Sequence, residues 1–329
     1  MSAPVLVTGA TGGLGRVLVP ALLAQGRQVI ATGRDRVRGG ELARLGAAFV
    51  PADLAKDPVR PLVEGVQTVF HLAARSSPWG PPDAFVSANV AVTRRLLDAA
   101  RNAGCARFVF TSTPSIYTRA RRQIGLTEAA PPPRRPVNAY ARTKLAAERL
   151  VVSAGRPGFA TVTIRPRAIV SPYDTVLLPR LLSAAKRGRM PLPGHGRALI
   201  EPTDARDVCS ALLAAESRCE ALSGQVFNVS GGQPISLARL AGYVFDRLGM
   251  RIRLIPLPAH LVLGMAHLAE AAARLNPGAD EPAVTVYSAM ALGWSQTFDL
   301  SAARQKLGWA PAVAPCDAID WALEGRAHA

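Results

Sequence analysis

Lysine is nearly missing from this sequence. Of its 39 basic residues only Lys56, Lys144, Lys186 and Lys306 are lysines, and the rest are arginine. Aromatic residues are scarce at 5%, and the arginines are scattered, with small clusters only around Arg34–Arg38 and Arg119–Arg122. A nucleic-acid surface gathers its charge on one element beside stacking aromatics. The net charge of +16 therefore reads as an arginine-rich solvated surface, and no nucleic-acid partner is expected. Attraction to anionic cofactor phosphates or to an anionic membrane surface is the functional alternative. The four cysteines (Cys105, Cys209, Cys219, Cys316) form no C-x-x-C pair. That pattern excludes a disulfide scaffold and a cysteine zinc ribbon, gives no metal site, and points to a reducing compartment. No stretch reaches about 18 uninterrupted apolar residues, and the N-terminus has no basic segment followed by an apolar one. A cytoplasmic protein, peripheral to a membrane at most, is expected. Apolar material is plentiful: 49% of 329 residues are hydrophobic and 19% charged. That supports one large domain or two interlocked ones and excludes a disordered chain.

The first 165 residues alternate short apolar runs with helical patterns. The runs are Val5–Thr8, Gln28–Thr32, Ala47–Val50, Thr68–His71, Phe108–Thr111 and Thr161–Arg165. Helical spacing is read at Leu14–Ala24, Gly40–Leu45, Ala84–Asn102 and Ala139–Val152. Such alternation predicts βαβ units and an α/β fold, a Rossmann doubly wound parallel sheet. After Arg165 the rhythm breaks, and Val226–Val229 reads as one further strand. The expected organisation is a dinucleotide-binding domain over 1–165, with 205–233 returning to it. Residues 166–204 and 234–329 would form a smaller, largely C-terminal, substrate-binding cap. Leu254–Leu275 is apolar but interrupted by Pro256, Pro258, His260 and Glu270, and is read as a helical cap piece over the sheet.

The segment Val5-Leu-Val-Thr-Gly-Ala-Thr-Gly-Gly-Leu-Gly15 is a strand, a glycine turn and a helix start. Gly9 permits the turn, Gly12 lets a pyrophosphate approach the backbone, and Gly15 lets helix and strand pack closely. Thr11, Gly13 and Leu14 belong to the same cradle, where a helix N-terminus faces the phosphates. The next strand ends Ala31-Thr32-Gly33-Arg34. Gly33 stands where a ribose-binding acid is expected, and Arg34 can pair with a 2′-phosphate, assisted by Arg16 or Arg38. NADP(H) is expected, with NAD(H) as the alternative because Asp35 lies one residue further on. Asp53 is placed at the adenine amine or as a helix cap. Leu54 and the turn of Leu72, Ala73 and Ala74 would flank adenine and ribose.

Tyr140-Ala-Arg-Thr-Lys144 puts a phenol and an ammonium on one face of a helix. A nearby ammonium lowers a phenol's pKa, which suits proton transfer to or from a carbonyl oxygen. Ahead of it, Phe110-Thr-Ser-Thr-Pro-Ser-Ile-Tyr117 offers Ser112, Thr113 and Ser115 as the hydroxyl that bonds the carbonyl.

These motifs, with Asn89…Thr93, Arg165-Pro166, Asp207-Val208 and Phe227-Asn-Val229, resemble the extended short-chain dehydrogenase/reductases, or NAD-dependent epimerase/dehydratases. Ser76-Ser-Pro-Trp-Gly80, Val137-Asn-Ala-Tyr140 and Ser295-Gln-Thr-Phe-Asp299 resemble its 3β-hydroxysteroid dehydrogenase-like branch, including bacterial 2-alkyl-3-oxoalkanoate reductases of olefin synthesis. The resemblance implies Tyr140 as acid/base and Lys144 as the residue that binds the nicotinamide ribose and tunes Tyr140. The active hydroxyl lies four residues before the motif-closing aromatic, Tyr117, hence Thr113. Asn89 and Pro166 are implied at the cofactor. A homodimer through the helices after the fourth and fifth strands is implied as well.

The expected activity is NADP(H)-dependent interconversion of a ketone and a secondary alcohol on a hydrophobic β-keto acid or steroid-like substrate. Arg119 or Arg167 would hold a substrate carboxylate. Two rivals remain: a nucleotide-sugar epimerase or dehydratase, and a non-catalytic cofactor sensor or RNA-binding scaffold on the same fold.

Overall fold

In the computed structural model the described residues are 3–174, 178–179, 181–182, 188–275 and 280–327. Strands and helices alternate as β1 (Val5–Thr8), α1 (Gly15–Ala24), β2 (Val29–Gly33), α2 (Arg36–Arg44), β3 (Ala48–Pro51), β4 (Thr68–His71), α3 (Val92–Asn102), β5 (Arg107–Thr111), α4 (Ala139–Ala154), β6 (Ala160–Pro166), α5 (Ala205–Ser217) and β7 (Gln225–Val229). The seven strands form one parallel sheet in the order β7-β6-β5-β4-β1-β2-β3. Residues Val5–Thr8, Thr68–His71 and Ala160–Pro166 are buried throughout. This is the pattern of parallel strands covered on both faces. One core packs Leu18 and Leu22 of α1 with Val208 and Leu212 of α5. The other packs Leu96 and Leu97 of α3 with Ala147 and Val151 of α4. Strand order reverses at β1, which opens a crevice at the carboxyl ends of β1 and β4.

Several boundaries differ from the sequence reading. The second helix runs from Arg36 rather than Gly40, because the Asp35 carboxylate caps it by accepting from the Arg38 N–H at 3.0 Å. The segment read as one helix over Ala84–Asn102 holds a π-helical turn at Val86–Ala91, which carries Asn89. The segment Leu254–Leu275 divides. Arg253–Leu257 is a strand paired in parallel with Arg189–Pro193, because Pro256 and Pro258 break a helix but are tolerated in a two-stranded edge. The helix α6 (Ala259–Arg274) then packs through Val262 and Ala266 on α7 (Val286–Gly293), not over the large sheet. Gln123–Leu126 and Gln296–Phe298 form another short parallel pair that the sequence reading missed. Among the described residues no helix is long and apolar enough to cross a membrane.

Candidate active site

The glycine turn is flush against a neighbouring crossover. Gly9 has φ +68°, and a Cβ there would stand 2.8 Å from the backbone N and Cα of Ala73. A Cβ on Gly15 would meet the Gly9 carbonyl and Ala10 Cα at 2.5 Å. Only glycine allows this approach. At the start of α1, Leu14 provides no side-chain cap, and the first turn holds no acid. The Arg16 and Val17 N–H groups already bond the Gly12 and Leu14 carbonyls, which leaves the N–H groups just ahead of them, and the positive end of the helix dipole, to an anion. The loop therefore fits a dinucleotide pyrophosphate.

Thr11 fills the space beside Gly33, since a Cβ on Gly33 would land on the Thr11 side chain. An acid at that position would have to displace the Thr11 side chain. Arg34 is exposed and makes no ion pair among the described residues. Its two proposed helpers are engaged. Arg16 pairs with Glu41 at 2.7 Å and stacks 3.8 Å over the Tyr173 ring, while Arg38 pairs with Asp35 at 3.4 Å. Asp53 accepts from the Ala55 N–H at 3.1 Å, so one carboxylate oxygen closes a local turn. Leu54 is buried. The N–H groups of Leu72 and Ala73 bond the carbonyl and hydroxyl of Thr8, and Ala74 is exposed. Pro166 ends β6.

Asn138 starts α4 by accepting from the Ala141 N–H at 2.9 Å, and the helix carries Tyr140 and Lys144 one turn apart. The Lys144 Nζ donates to the Thr111 carbonyl at 2.6 Å and lies 4.0 Å from the Phe110 ring centroid. Burial pushes its pKa down to about 7, opposed by the Glu148 charge one turn further on. Glu148 is in turn held by Arg165, whose Nε lies 2.8 Å away.

Burial raises the pKa of the Tyr140 phenol, the nearby Thr113 hydroxyl lowers it, and Tyr287 raises it again. The expectation that Lys144 lowers the Tyr140 pKa is corrected: with the ammonium drawn to Thr111, desolvation dominates. Thr113 also donates to the Ser115 hydroxyl at 3.0 Å, and Ser115 bonds the Tyr287 hydroxyl at 2.8 Å. Tyr140, Thr113, Ser115 and Tyr287 thus form one cluster of hydroxyls at the carboxyl end of β5. The buried Ser112 hydroxyl has no partner among the described residues and stays outside it. Sequence reasoning missed Tyr287. A usable signal existed in Thr285-x-x-Ser288, which forms a capping box at the start of α7.

Asn89 braces the site. Its amide oxygen accepts from the Arg75 N–H at 2.8 Å, and its nitrogen donates to the Arg75 carbonyl and, at 3.0 Å, to Thr143. Of the two arginines considered for a substrate carboxylate, Arg119 donates to the Pro131 carbonyl at 2.7 Å. Arg167 is buried just beyond β6.

Residues 5–230 match the NAD dependent epimerase/dehydratase family. The chain is 33% identical over 316 residues to the 4-hydroxy-2-methyl-3-oxo-4-farnesyl-3,4-dihydroquinoline-1-oxide ketoreductase of Stigmatella aurantiaca, covering 95% of this chain and 94% of the other. It is 30% identical over 319 residues to a 2-alkyl-3-oxoalkanoate reductase of Shewanella oneidensis, covering 93% and 82%. The solved structure of MoeE5 in complex with UDP-glucose and NAD shares the fold, with TM-score 0.78 and 24% identity over 99% of both chains. With its glycine cradle and hydroxyl cluster in place, the chain belongs to the NAD-dependent epimerase/dehydratase family, as an oxidoreductase of the extended short-chain type that uses a nicotinamide cofactor.

Proposed function

We propose that this chain is an NADP(H)-dependent reductase that interconverts a ketone and a secondary alcohol on a hydrophobic substrate, a β-keto acid or a steroid-like molecule. One observation carries the reading: the Tyr140 and Thr113 hydroxyls meet at the end of β5, with Lys144 one turn along the same helix as Tyr140. A bound nicotinamide supplies hydride to the carbonyl carbon or takes it back. Tyr140 gives the carbonyl oxygen its proton, and burial keeps Tyr140 in the phenol form that this step requires. Thr113 donates a hydrogen bond to the same oxygen as charge develops on it. Lys144 holds the ribose and supplies positive field as the proton leaves Tyr140.

In this reading Gly9, Thr11, Gly12, Gly13, Leu14 and Gly15 cradle the pyrophosphate, and Arg34 takes the 2′-phosphate. Asp53, Leu54, Leu72, Ala73 and Ala74 line adenine and ribose, and Asn89 and Pro166 support the nicotinamide end. The preference for NADP(H) is supported by the free Arg34, the filled space beside Gly33 and the use of Asp35 as a cap. Residues 1–165 and 205–233 hold the cofactor, while 166–204 and 234–329 cover the substrate. The reach of Tyr287 into the hydroxyl cluster supports that division. A hydrophobic substrate is supported by the two reductases named above. Exposed Leu261, Met265 and Leu268 on α6 suit a greasy substrate or contact with a membrane surface.

The test follows NADPH oxidation against a panel of β-keto acids, steroids and nucleotide sugars. Turnover of a β-keto acid or steroid, faster with NADPH than with NADH, is expected. Turnover of nucleotide sugars alone, with oxidised cofactor retained through purification, overturns the reading.

A further inference from the structure

We infer that Arg167 anchors a carboxylate on the substrate, which narrows the substrate class to 3-oxo acids over neutral ketones; this rests on the reductase reading above. The backbone around it is clamped. The Arg167 N–H donates to the Val229 carbonyl at 2.8 Å, and its own carbonyl accepts from the Thr203 hydroxyl. Ala168 follows with φ 43°, in the left-handed region that a residue with a Cβ rarely occupies. Its carbonyl is held by the Thr203 N–H at 3.0 Å. Strained backbone of this kind gathers at ligand sites, where the surrounding bonds over-determine it. Here it follows directly on the residue that leaves the carboxyl end of β6, the sheet end where the hydroxyl cluster lies.

The side chain is charged, buried and incompletely bonded. Arg167 is 6% exposed, and its buried Nε has no hydrogen-bond partner among the described residues. Among the described residues no carboxylate forms an ion pair with it. A guanidinium does not shed its proton in a protein, so a buried one without a partner is costly and calls for a completing anion. Tyr287 and Glu201 lie within its field. Glu201 forms no ion pair with it among the described residues: burial raises the pKa of its carboxyl, and its own Oε2 is buried without a partner. Tyr287 leads to the reacting centre, since its hydroxyl bonds Ser115, which bonds Thr113. The Tyr287 and Ser115 hydroxyls therefore connect the surroundings of the cation to the group that polarises the carbonyl. In a 3-oxo acid the carboxyl carbon is two bonds from the carbonyl carbon. An anion seated at Arg167 brings that carbonyl toward Thr113 and Tyr140. Planar, bidentate donors are what a carboxylate takes best.

The experiment compares kcat/KM for a 2-alkyl-3-oxoalkanoate and its methyl ester with NADPH, in wild type and in Arg167→Met. The wild type is expected to favour the acid by about 100-fold, roughly the effect of one charge-assisted bidentate pair. Arg167→Met should bring that ratio close to one, and Arg167→Lys should give an intermediate value. A wild-type ratio near one overturns the anchor and leaves the reductase reading standing. A ratio unchanged in Arg167→Met, with both substrates slowed alike, shows a structural role and also overturns it. If Arg167→Met does not fold, the wild-type and Arg167→Lys ratios decide. Reduction of neither substrate removes the reductase reading and the anchor together. Oxidation of a ring hydroxyl of UDP-glucuronic acid with NADP+, with neither 3-oxo substrate reduced, assigns the cation to a sugar acid and overturns the 3-oxo acid class.

Discussion

Lys144 donates to the Thr111 carbonyl, where its Nζ sits at 2.6 Å. The contact ties α4 to the end of β5, and the Phe110 ring lies beneath the charge. Burial makes the ammonium costly, so its pKa falls to about 7. The unfolded chain holds the same proton up to about pH 10.4. Between these values the unfolded state binds more protons, so this group makes stability rise with pH across that window. With only four lysines in the chain, selective isotope labelling of lysine side chains gives few signals to follow. One of them should titrate near pH 7. Four titrations near 10 would overturn the burial argument.

The hydroxyl cluster separates two neighbours that the sequence left in competition. Thr113 touches Tyr140 and Ser115, whereas the Ser112 hydroxyl is buried without a partner. Thr113→Ala should lower kcat by about 10²-fold, as removal of an oxyanion donor does, and Thr113→Ser should recover most of it. Ser112→Ala should stay near wild type. Tyr140→Phe should lower kcat by about 10²–10⁴-fold while the dissociation constant for NADPH changes little. Stopped-flow turnover with fluorescence titration of NADPH checks both. A Ser112→Ala loss larger than that of Thr113→Ala reverses the assignment.

How much of this was legible in the sequence depended on how local the cause was. The β1 turn and the Tyr140–Lys144 pair were legible because glycine geometry and the helical period act within a few residues. The first residue of α4 was legible because Asn138 caps its own helix. The strand Arg253–Leu257 was not, since its partner Arg189–Pro193 is remote in sequence and its prolines suggested only irregularity. Tyr287 was not, since it meets Ser115 across 172 positions. The electrostatics of Lys144 was misread because spacing gives the helix face but not the depth of burial, and burial determines the sign of the shift.

In the proposed NADP(H) reading, cofactor choice turns on three consecutive residues. An acid at Gly33 would have to displace Thr11, Asp35 caps α2, and Arg34 between them makes no ion pair among the described residues. Arg34→Ala should weaken NADPH binding by about tenfold, equivalent to about 1.4 kcal/mol, and leave NADH binding nearly unchanged. Gly33→Asp alone should damage binding of both cofactors, because the new side chain displaces Thr11. Paired with Thr11→Gly, it should shift preference toward NADH. Isothermal titration with each cofactor is the measurement. An Arg34→Ala variant that loses affinity equally for both would show that Arg34 does not meet the 2′-phosphate.

His71 gives the fold an acid sensitivity that can be worked out from its partners. The Thr93 hydroxyl donates to the Asn89 carbonyl at 2.7 Å, so it accepts from the His71 Nε2–H at 2.9 Å. The Nδ1 is then the acceptor, and the Thr8 hydroxyl donates to it at 2.7 Å, while the Thr8 oxygen accepts from the Ala73 N–H. Every donor has an acceptor with the ring neutral, and an added proton would face a donor in a fully buried site. Burial, with the Lys144 charge adding to it, pushes the pKa down to about 3. The unfolded chain takes this proton near pH 6.5. Between pH 3 and 6.5 the unfolded state binds more protons, so the contribution of His71 is full above pH 6.5 and is lost as pH falls toward 3. The slope from this one group approaches about 1.4 kcal/mol per pH unit. Urea unfolding between pH 7 and 5, above the range where most carboxylates titrate, should show wild type losing stability. A His71→Gln variant, less stable at pH 7, should lose distinctly less over the same interval. Parallel curves for the two proteins would mean that the ring is protonated or solvated in the native state, and the hydrogen-bond chain from Thr8 through His71 and Thr93 to Asn89 would have to be redrawn.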